Sequence, residues 1–395
     1  MLPAWLSFVI VIGIVMVLSK YELGIILTLG AVAFAILAGV DIVQSLTNVV
    51  SDPSILLLLI IMILIPILGG LMEESGLMME MIQKLRISRK TSLMMIPALF
   101  GLLPVPGGAL MSAPIVQEID SEEDANTKVS INVWYRHMLI MIYPLSSSLI
   151  IASILTNINL YILALGMVPG LIIMWIVGYV VLLRNITPFI EQGERDLKRA
   201  FHNLLPILIA PIFDFIGRIV FNFAFPEVFL LGGLVISILM ALKFGKMNFS
   251  NIRKISKKMK IWRFPLLIFS MFLFLEVFVL SGAPEEIARI EMSVFLLIIL
   301  GFFLGFATGR IQLPVSILIP IYLAQFTPLA MSLPHFIFIY TSISLGYLIT
   351  PIHPCVSYST EYFETNFLKV IKILGKPILI SFLLLLGIYG LFLII

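Results

Sequence analysis

Long apolar runs follow one another along the chain, separated by short polar or charged segments. A transmembrane helix needs about 20 mainly apolar residues, because each residue adds about 1.5 Å to a helix that crosses about 30 Å of hydrocarbon. Ten runs near this length predict full spans: 4–19, 22–40, 54–71, 131–156, 159–183, 203–225, 228–243, 264–281, 334–358 and 371–394. The pattern predicts an all-α polytopic membrane protein.

Two further apolar runs, 92–118 and 292–325, are interrupted near the middle by glycine and proline. Backbone groups in hydrocarbon must be hydrogen-bonded, so such breaks persist only where protein or a wet cavity surrounds them. We therefore predict two re-entrant helical hairpins, each entering and leaving on one side. Their tips are Leu103-Pro104-Val105-Pro106-Gly107-Gly108 and Thr308-Gly309-Arg310-Ile311-Gln312-Leu313-Pro314.

The placement of basic residues supports this topology, since cytoplasmic loops are enriched in Lys and Arg. With the N-terminus outside and two hairpins, the basic segments 84–90, 184–199 and 243–263 all become cytoplasmic. The external loops then collect only Arg289. The sequence thus predicts a multi-pass protein of the cytoplasmic (inner) membrane with both termini outside.

Composition excludes a water-soluble fold, since 61% of the residues are hydrophobic and 12% are charged, against about 45–50% and 25% in soluble domains. The 25 basic and 22 acidic residues are too balanced to indicate a nucleic-acid partner. Cys355 is the one cysteine in the sequence, which excludes an intramolecular disulfide and a cysteine-based zinc cluster. We expect no cofactor and no resident metal.

The two halves of the chain have the same predicted order of elements. Residues 1–185 and 203–395 each contain five spans and one hairpin, and 186–202 form a cytoplasmic linker. Each half crosses the membrane five times, and an odd number of crossings starts the second half on the opposite side. The second half is therefore predicted to be an inverted repeat of the first. Two short matches share one offset of 210 residues: Leu103-Pro104-Val105 with Leu313-Pro314-Val315, and Pro144 with Pro354.

A repeated unit of three spans, a hairpin, a broken span and a final span resembles the ion transporter superfamily. That group includes the divalent anion/sodium symporters, gluconate permeases and some sodium/proton and arsenite transporters. The segment from Leu103 to Pro114 also resembles an uncharacterised prokaryotic membrane family within it. The Ser-Asn-Thr tip signatures of the dicarboxylate symporters are absent from both hairpins, which argues against a dicarboxylate substrate.

The resemblance implies an elevator mechanism. The hairpins and the broken spans 131–156 and 334–358 would move together past spans that form a homodimer interface. Surface helices near 74–90 and 284–290 would join the moving part to the fixed part.

Polar residues at the two tips and the two broken spans form the candidate site. A half-helix that starts at mid-membrane presents unpaired N–H groups and about half a positive charge to an anion, whereas unwound carbonyl groups suit Na⁺. The expected substrate-binding residues are Gly107, Gly108, Ser112, Ser146, Ser147, Ser148, Thr308, Gly309, Arg310, Gln312, Ser316, Thr350 and His353. The expected residues for coupling to Na⁺ or H⁺ are Ser112, Ser147, Thr308 and Glu276.

Several charged or polar residues have two interpretations. Arg310 either binds an anion or pairs with a carboxylate to fix its hairpin. His353 either contacts the ligand or is a neutral structural residue. For Arg136 and His137, which lie near the cytoplasmic end of their span, an interfacial anchor is favoured.

Two further sites involve carboxylates. Asp214 and Arg218 are four residues apart on one helix, so a structural ion pair is favoured over a proton relay. Glu276 lies inside a span with no evident partner in the sequence, which makes it a functional candidate. The alternative is that it reaches water, since it lies five residues from the external end of the span.

These features predict a secondary active transporter for a small organic anion, driven by a sodium or proton gradient. A sodium/proton antiporter or an anion channel of the same fold is the alternative. A membrane-embedded enzyme is a lesser alternative, because the sequence has no His-Glu-x-x-His, no Gly-x-Ser-x-Gly and no acidic metal cluster. There is also no Walker lysine in a Gly-rich loop.

The two-hairpin topology predicts that both ends of the first hairpin face the cytoplasm. Single cysteines at Lys90 and Asp120, in a Cys355→Ser background, should both react with an impermeant maleimide from the cytoplasmic side only. A control cysteine at Arg289 should react from outside. Labelling of Lys90 and Asp120 from opposite sides would show that 92–118 crosses the membrane.

Overall fold

The computed structural model describes residues 2–18, 21–85, 87–102, 108–119, 123–186, 196–221, 223–289, 292–326, 331–351 and 353–394. Every regular element in these ranges is helical. The first half contains α1 (Ala4–Leu18), α2 (Leu23–Ala38), α3 (Ile42–Ser51), α4 (Pro53–Glu74), α5 (Leu77–Leu85), α6 (Arg89–Gly101), α7 (Gly108–Ile119), α8 (Ala125–Arg136), α9 (Ser147–Thr156), α10 (Leu160–Gly166) and α11 (Val168–Gly178). A 3₁₀ turn (Leu139–Met141) precedes α9, and a π-helical segment (Tyr179–Leu183) continues α11.

The second half contains α12 (Leu197–Val220), α13 (Glu227–Phe244), α14 (Phe249–Met259), α15 (Arg263–Leu280), α16 (Ala283–Ala288), α17 (Val294–Thr308), α18 (Gln312–Gln325), α19 (Leu333–Ile349), α20 (Pro354–Tyr362) and α21 (Phe367–Phe392).

Seven segments of the described chain are long and apolar enough to cross a membrane. They are Pro53–Glu74, Leu160–Leu183, Leu197–Val220, Glu227–Phe244, Arg263–Leu280, Leu333–Tyr362 and Phe367–Phe392. The chain is thus all-α, with several helices of membrane-spanning length and composition, as the sequence predicted.

Three of the ten predicted spans differ from this group. The first two, 4–19 and 22–40, form α1 and α2, which have 15 and 16 residues and are shorter than an average crossing helix. The third, 131–156, is divided into α8 and α9.

The two apolar runs with central breaks each form a pair of helices in contact. Helix α6 packs against α7, and α17 packs against α18. Gly309 ends α17 with a left-handed φ of 60°, and its N–H bonds to the Gly305 carbonyl. A left-handed residue is a common helix terminator, and glycine adopts it without steric cost. The segment from Leu103 to Gly107 lies outside the described residues.

The chain divides into two compact units, and each unit takes residues from both halves of the sequence. Unit 1 comprises Met1–Leu85 and Glu194–Ile290, and unit 2 comprises Arg86–Gly193 and Glu291–Ile395. Both hairpins and both broken spans belong to unit 2. The compact units are therefore interleaved in the sequence and do not coincide with its two halves.

Within unit 1, the two contributing segments have the same order of helices. Each has two apolar helices, a short amphipathic helix, another apolar helix and a short final helix, in α1–α5 and in α12–α16. The amphipathic helices α3 and α14 were not predicted, and α14 lies within the basic segment 243–263. The shared order is the one expected of a repeat, and its inversion stays a prediction.

The motif match at an offset of 210 stays a prediction. Leu313 and Pro314 lie in the first turn of α18, whereas Leu103, Pro104 and Val105 lie outside the described residues.

Close helix packing in unit 2 depends on glycine. A Cβ on Gly346 of α19 would collide with the Phe302 carbonyl oxygen of α17, and a Cβ on Gly305 of α17 would collide with the Ile343 carbonyl oxygen of α19. Membrane helices associate through such small residues because lipid offers no hydrophobic driving force between them.

Substitution of Gly346 by alanine should therefore separate α17 from α19. We expect a lower apparent melting temperature in detergent, equivalent to a loss of about 1–3 kcal/mol for an overpacked site. The matched control is Gly387→Ala in α21, where a Cβ meets nothing within 4 Å. A Gly346→Ala variant as stable as the control would contradict this packing.

Candidate functional site

Hydrogen bonds join the two sequence halves at the start of α9. The Gln312 Nε2 of α18 donates to the Ser147 Oγ at 2.9 Å. The buried Ser148 hydroxyl lies 2.7 Å from the Tyr340 hydroxyl of α19 and is joined to the Ser146 hydroxyl at 2.9 Å. The second half of the first broken span is thus fixed by polar side chains of the second hairpin and the second broken span.

A second polar network lies where α7, α8 and α20 pack together. The Ser112 hydroxyl donates to Asn132 Oδ1 at 2.6 Å, and Asn132 Nδ2 donates to Ser359 Oγ at 3.0 Å and to the Ala109 carbonyl at 3.1 Å. Ser112, Asn132 and Ser359 are all fully buried. Since a buried unpaired polar group costs about 1–3 kcal/mol, this network strongly favours one arrangement of the three helices.

The two networks give unit 2 a crossed arrangement. The first hairpin contacts the second broken span through α7 and α20, and the second hairpin contacts the first broken span through α18 and α9. Each hairpin is therefore packed against a helix from the other half of the sequence.

Helix N-termini at the breaks differ from most other N-termini of unit 2. Side chains cap the helices that follow chain turns: Ser88 caps α6, Asp124 caps α8, Asn159 caps α10, Ser293 caps α17 and Asn366 caps α21. At the breaks, α9, α18 and α20 have no side-chain cap. Helices α11 and α19 also lack one, and proline stands in the first turn of α11, α19 and α20. Uncapped N–H groups can hydrogen-bond an anion.

Aromatic and basic residues surround the end of α8 and the start of α20. The rings of His137 and His353 have centroids 4.6 Å apart, and the Tyr347 ring lies 4.1 Å from His353. The positive charges of Arg136 and Arg310 are both close enough to interact with the Tyr347 hydroxyl. This end of the site is therefore rich in positive charge.

Arg136 and His137 are buried within the protein, whereas the sequence favoured an interfacial anchor for both. They are 5% and 9% exposed, and a Cβ on Gly101 of α6 would collide with the Arg136 carbonyl oxygen. The end of α8 is thus packed inside unit 2 against the first hairpin.

The remaining predicted residues of unit 2 lie on the same helix ends. The Thr308 hydroxyl is buried and donates to the Leu304 and Arg310 carbonyls at 2.7 and 3.1 Å. Ser316 donates to the Leu313 carbonyl at 2.8 Å. Thr350 is buried in the break before α20 and Gly108 starts α7, while Gly107 lies outside the described residues.

The four predicted coupling residues are divided between the units. Ser112, Ser147 and Thr308 belong to unit 2, and Glu276 belongs to unit 1. Glu276 has a partner that its own helix does not reveal, because Asn48 Nδ2 of α3 donates to Glu276 Oε1 at 2.6 Å.

The carboxylate of Asp214 forms the predicted ion pair. It is fully buried in unit 1, and the Arg218 Nε donates to its two oxygens at 2.9 Å each. A pair at this spacing on one helix compensates both charges locally.

Asn132, Ser359, Tyr340 and Tyr347 are part of the site and were not predicted. They lie within helices, away from the glycine and proline residues that mark the breaks. A signal existed for Asn132 alone, as a carboxamide inside a predicted span, close to Arg136 and His137.

Residues 2–393 match the family described as a protein of unknown function (DUF401). The chain belongs to this family. No curated protein matches it. Membership of the family assigns no substrate, so function must be argued from the site.

The Asn132 network predicts energetic coupling between the two sequence halves. In SDS-titrated unfolding, Asn132→Ala and Ser359→Ala should each destabilise the protein, and a double-mutant cycle should give about 0.5–3 kcal/mol of coupling. Asn132→Ala and Ser381→Ala form the control cycle, because the buried Ser381 hydroxyl makes no hydrogen bond in the described chain. Additive effects in both cycles would mean that the network does not hold α8 to α20.

Proposed function

We propose that this protein is a secondary active transporter that moves a small organic anion of the carboxylate type across the cytoplasmic membrane. A sodium or proton gradient drives the transport. The uncapped N-termini of α9, α18 and α20 are the observation that carries the proposal.

The charge around these N-termini favours an anion. Each uncapped helix start contributes roughly half a positive charge, and Arg310 precedes α18 by two residues. The nearby side chains Ser147 and Gln312 are neutral hydrogen-bonding groups that suit a carboxylate or hydroxyl oxygen. An anion with several oxygens would satisfy donors from both halves of the sequence.

The division of the chain supports an elevator mechanism. Both hairpins and both broken spans belong to unit 2, so one compact body contains all the proposed substrate-binding residues. The chain passes between the units just after α5 and just after α16, where arm helices are expected. We propose that unit 2 moves, and that unit 1 is the fixed part and forms a homodimer.

An anion channel would use the same hydrogen-bond donors as a carrier, and transport measurements distinguish a channel from a carrier. In proteoliposomes, a carrier exchanges labelled external anion for unlabelled internal anion, whereas a channel shows no such trans-stimulation. A panel of mono- and polycarboxylates, tested for thermal stabilisation with and without Na⁺, would first identify the anion.

Arg310 is expected to be the principal charge partner of this anion. Arg310→Lys keeps the charge but loses the planar fork, so it should weaken binding less than Arg310→Gln, which loses both. Loss of a charge-assisted hydrogen bond is worth about 1.5–3 kcal/mol, or about ten- to a hundredfold in affinity. The measurement is anion affinity from thermal shift and uptake.

Arg289→Gln is the matched control, since Arg289 is exposed and lies in unit 1. The melting temperature of each variant without anion must be compared with that of the parent, because Arg310 could instead stabilise its hairpin. Parental anion affinity in a normally folded Arg310→Gln variant would refute the anion-partner role.

A further inference from the structure

We propose that His137, His353 and Cys355 bind a soft monovalent metal ion, Cu⁺ or its analogue Ag⁺, inside unit 2. His137 follows the last residue of α8, and His353 and Cys355 flank Pro354 at the start of α20. One ring nitrogen of each histidine and the Cys355 sulfur all lie within 4.8 Å of one another. Thiolate sulfur favours soft ions, and imidazole binds copper readily.

The hydrogen bonding of His137 leaves a nitrogen available for a metal. Its Nδ1 lies 2.7 Å from the Val133 carbonyl oxygen, which only accepts hydrogen bonds, so Nδ1 carries the proton. The lone pair of the neutral ring is then on Nε2. A histidine that binds a metal commonly donates its other N–H to a backbone carbonyl in this way.

His353 is an unsatisfied polar group at the same place. Its side chain is fully buried, and neither ring nitrogen makes a well-formed hydrogen bond within the described chain, although the Leu348 backbone is near the ring. Buried polar atoms are rarely left unpaired without a ligand, water or functional reason. A metal bond from one nitrogen would remove much of this cost.

The charge on Arg136 selects a monovalent ion. Arg136 hydrogen-bonds the Cys355 thiol and also acts electrostatically on His353. When Cu⁺ binds, the S–H bond breaks, the proton leaves to solvent, and a sulfur–metal bond forms without any change of oxidation state. One positive charge enters and one leaves, so the charge of the cluster is unchanged.

A divalent ion would meet two difficulties. Zn²⁺ would add one net positive charge beside Arg136, and additional buried charge is costly in a membrane protein. Zinc also takes four ligands in most protein sites, whereas this cluster supplies three.

The three ligand atoms must move slightly closer together to bind one ion. Bonds of about 2.0–2.3 Å place ligand atoms roughly 3.5–4 Å apart around one ion. The observed limit of 4.8 Å therefore requires a contraction of about 1 Å, which small side-chain rotations supply. Cys355 is half-buried, so it is the least enclosed of the three proposed ligands, since His137 and His353 are buried.

The single cysteine makes the site directly testable in the unmodified protein. Purified full-length chain in nanodiscs, kept anaerobic, would be treated with a small thiol-alkylating reagent, and modification of Cys355 would be followed by intact mass. With free Ag⁺, or Cu⁺ set by a competing chelator, at ten times its dissociation constant, alkylation should slow about tenfold by mass action. Zn²⁺ at the same free concentration should protect much less.

Dependence on the histidines separates this site from an ordinary thiol, since any thiol binds Ag⁺. His353→Asn and His137→Asn should each weaken metal protection of Cys355 at least about a hundredfold, because loss of even an outer partner costs ten- to a hundredfold. His335→Asn is the matched control, as His335 bonds to Tyr322 away from the cluster. In the His335→Asn variant, the metal should protect Cys355 from alkylation as well as it does in the parent.

X-ray absorption of the Cu⁺-loaded parent gives a readout that needs no variant. One sulfur and two nitrogen neighbours are expected. Two results would each overturn the proposal: equal protection in the parent and in folded histidine variants, or a copper shell without nitrogen. The binding proposal does not rest on anion transport, so failure of either one leaves the other standing.

Discussion

Unsatisfied backbone groups are the constraint on which unit 2 depends. A helix that is interrupted inside an apolar layer leaves N–H and C=O groups that lipid cannot bond. Here the interruptions between α8 and α9, and between α19 and α20, are surrounded by two hairpins from the same unit. Ser148 meets Tyr340 and Asn132 meets Ser359, so the breaks are held by partners far away in sequence. Neither half of the sequence could form this arrangement alone.

The need for hydrogen-bond partners also distinguishes two kinds of polar group: those already paired within the protein and those still able to bind a ligand. Serine and asparagine side chains that bond to each other inside the helices are satisfied, and they fix helix positions. The starts of α9, α18 and α20 keep backbone donors without side-chain caps. Unit 1 contains phenylalanine contacts, as Phe8 meets Phe278 with centroids 4.7 Å apart, and also the buried Asp214–Arg218 pair. The three uncapped helix starts at the breaks belong to unit 2.

Local patterns predicted the helices, their breaks and the helix pairs, because apolar length and glycine or proline placement act over a few residues. They did not predict that Asn132 reaches Ser359, that Glu276 meets Asn48, or that Arg136 and His137 are buried, since those contacts depend on tertiary packing. The interleaved units do not follow from the repeat, because a repeat in the sequence does not state which elements pack together.

Arg136 connects the two proposals through its charge. Its guanidinium favours an anion at the positive end of unit 2, and it also hydrogen-bonds the Cys355 thiol, one ligand of the proposed metal site. A monovalent metal that displaces one proton leaves the charge of this region unchanged, so it alters the electrostatic attraction for an anion little. A divalent metal would add a charge and would increase that attraction, which couples the two sites. The charge of the bound metal therefore determines whether a metal site and an anion site in this unit act independently or together.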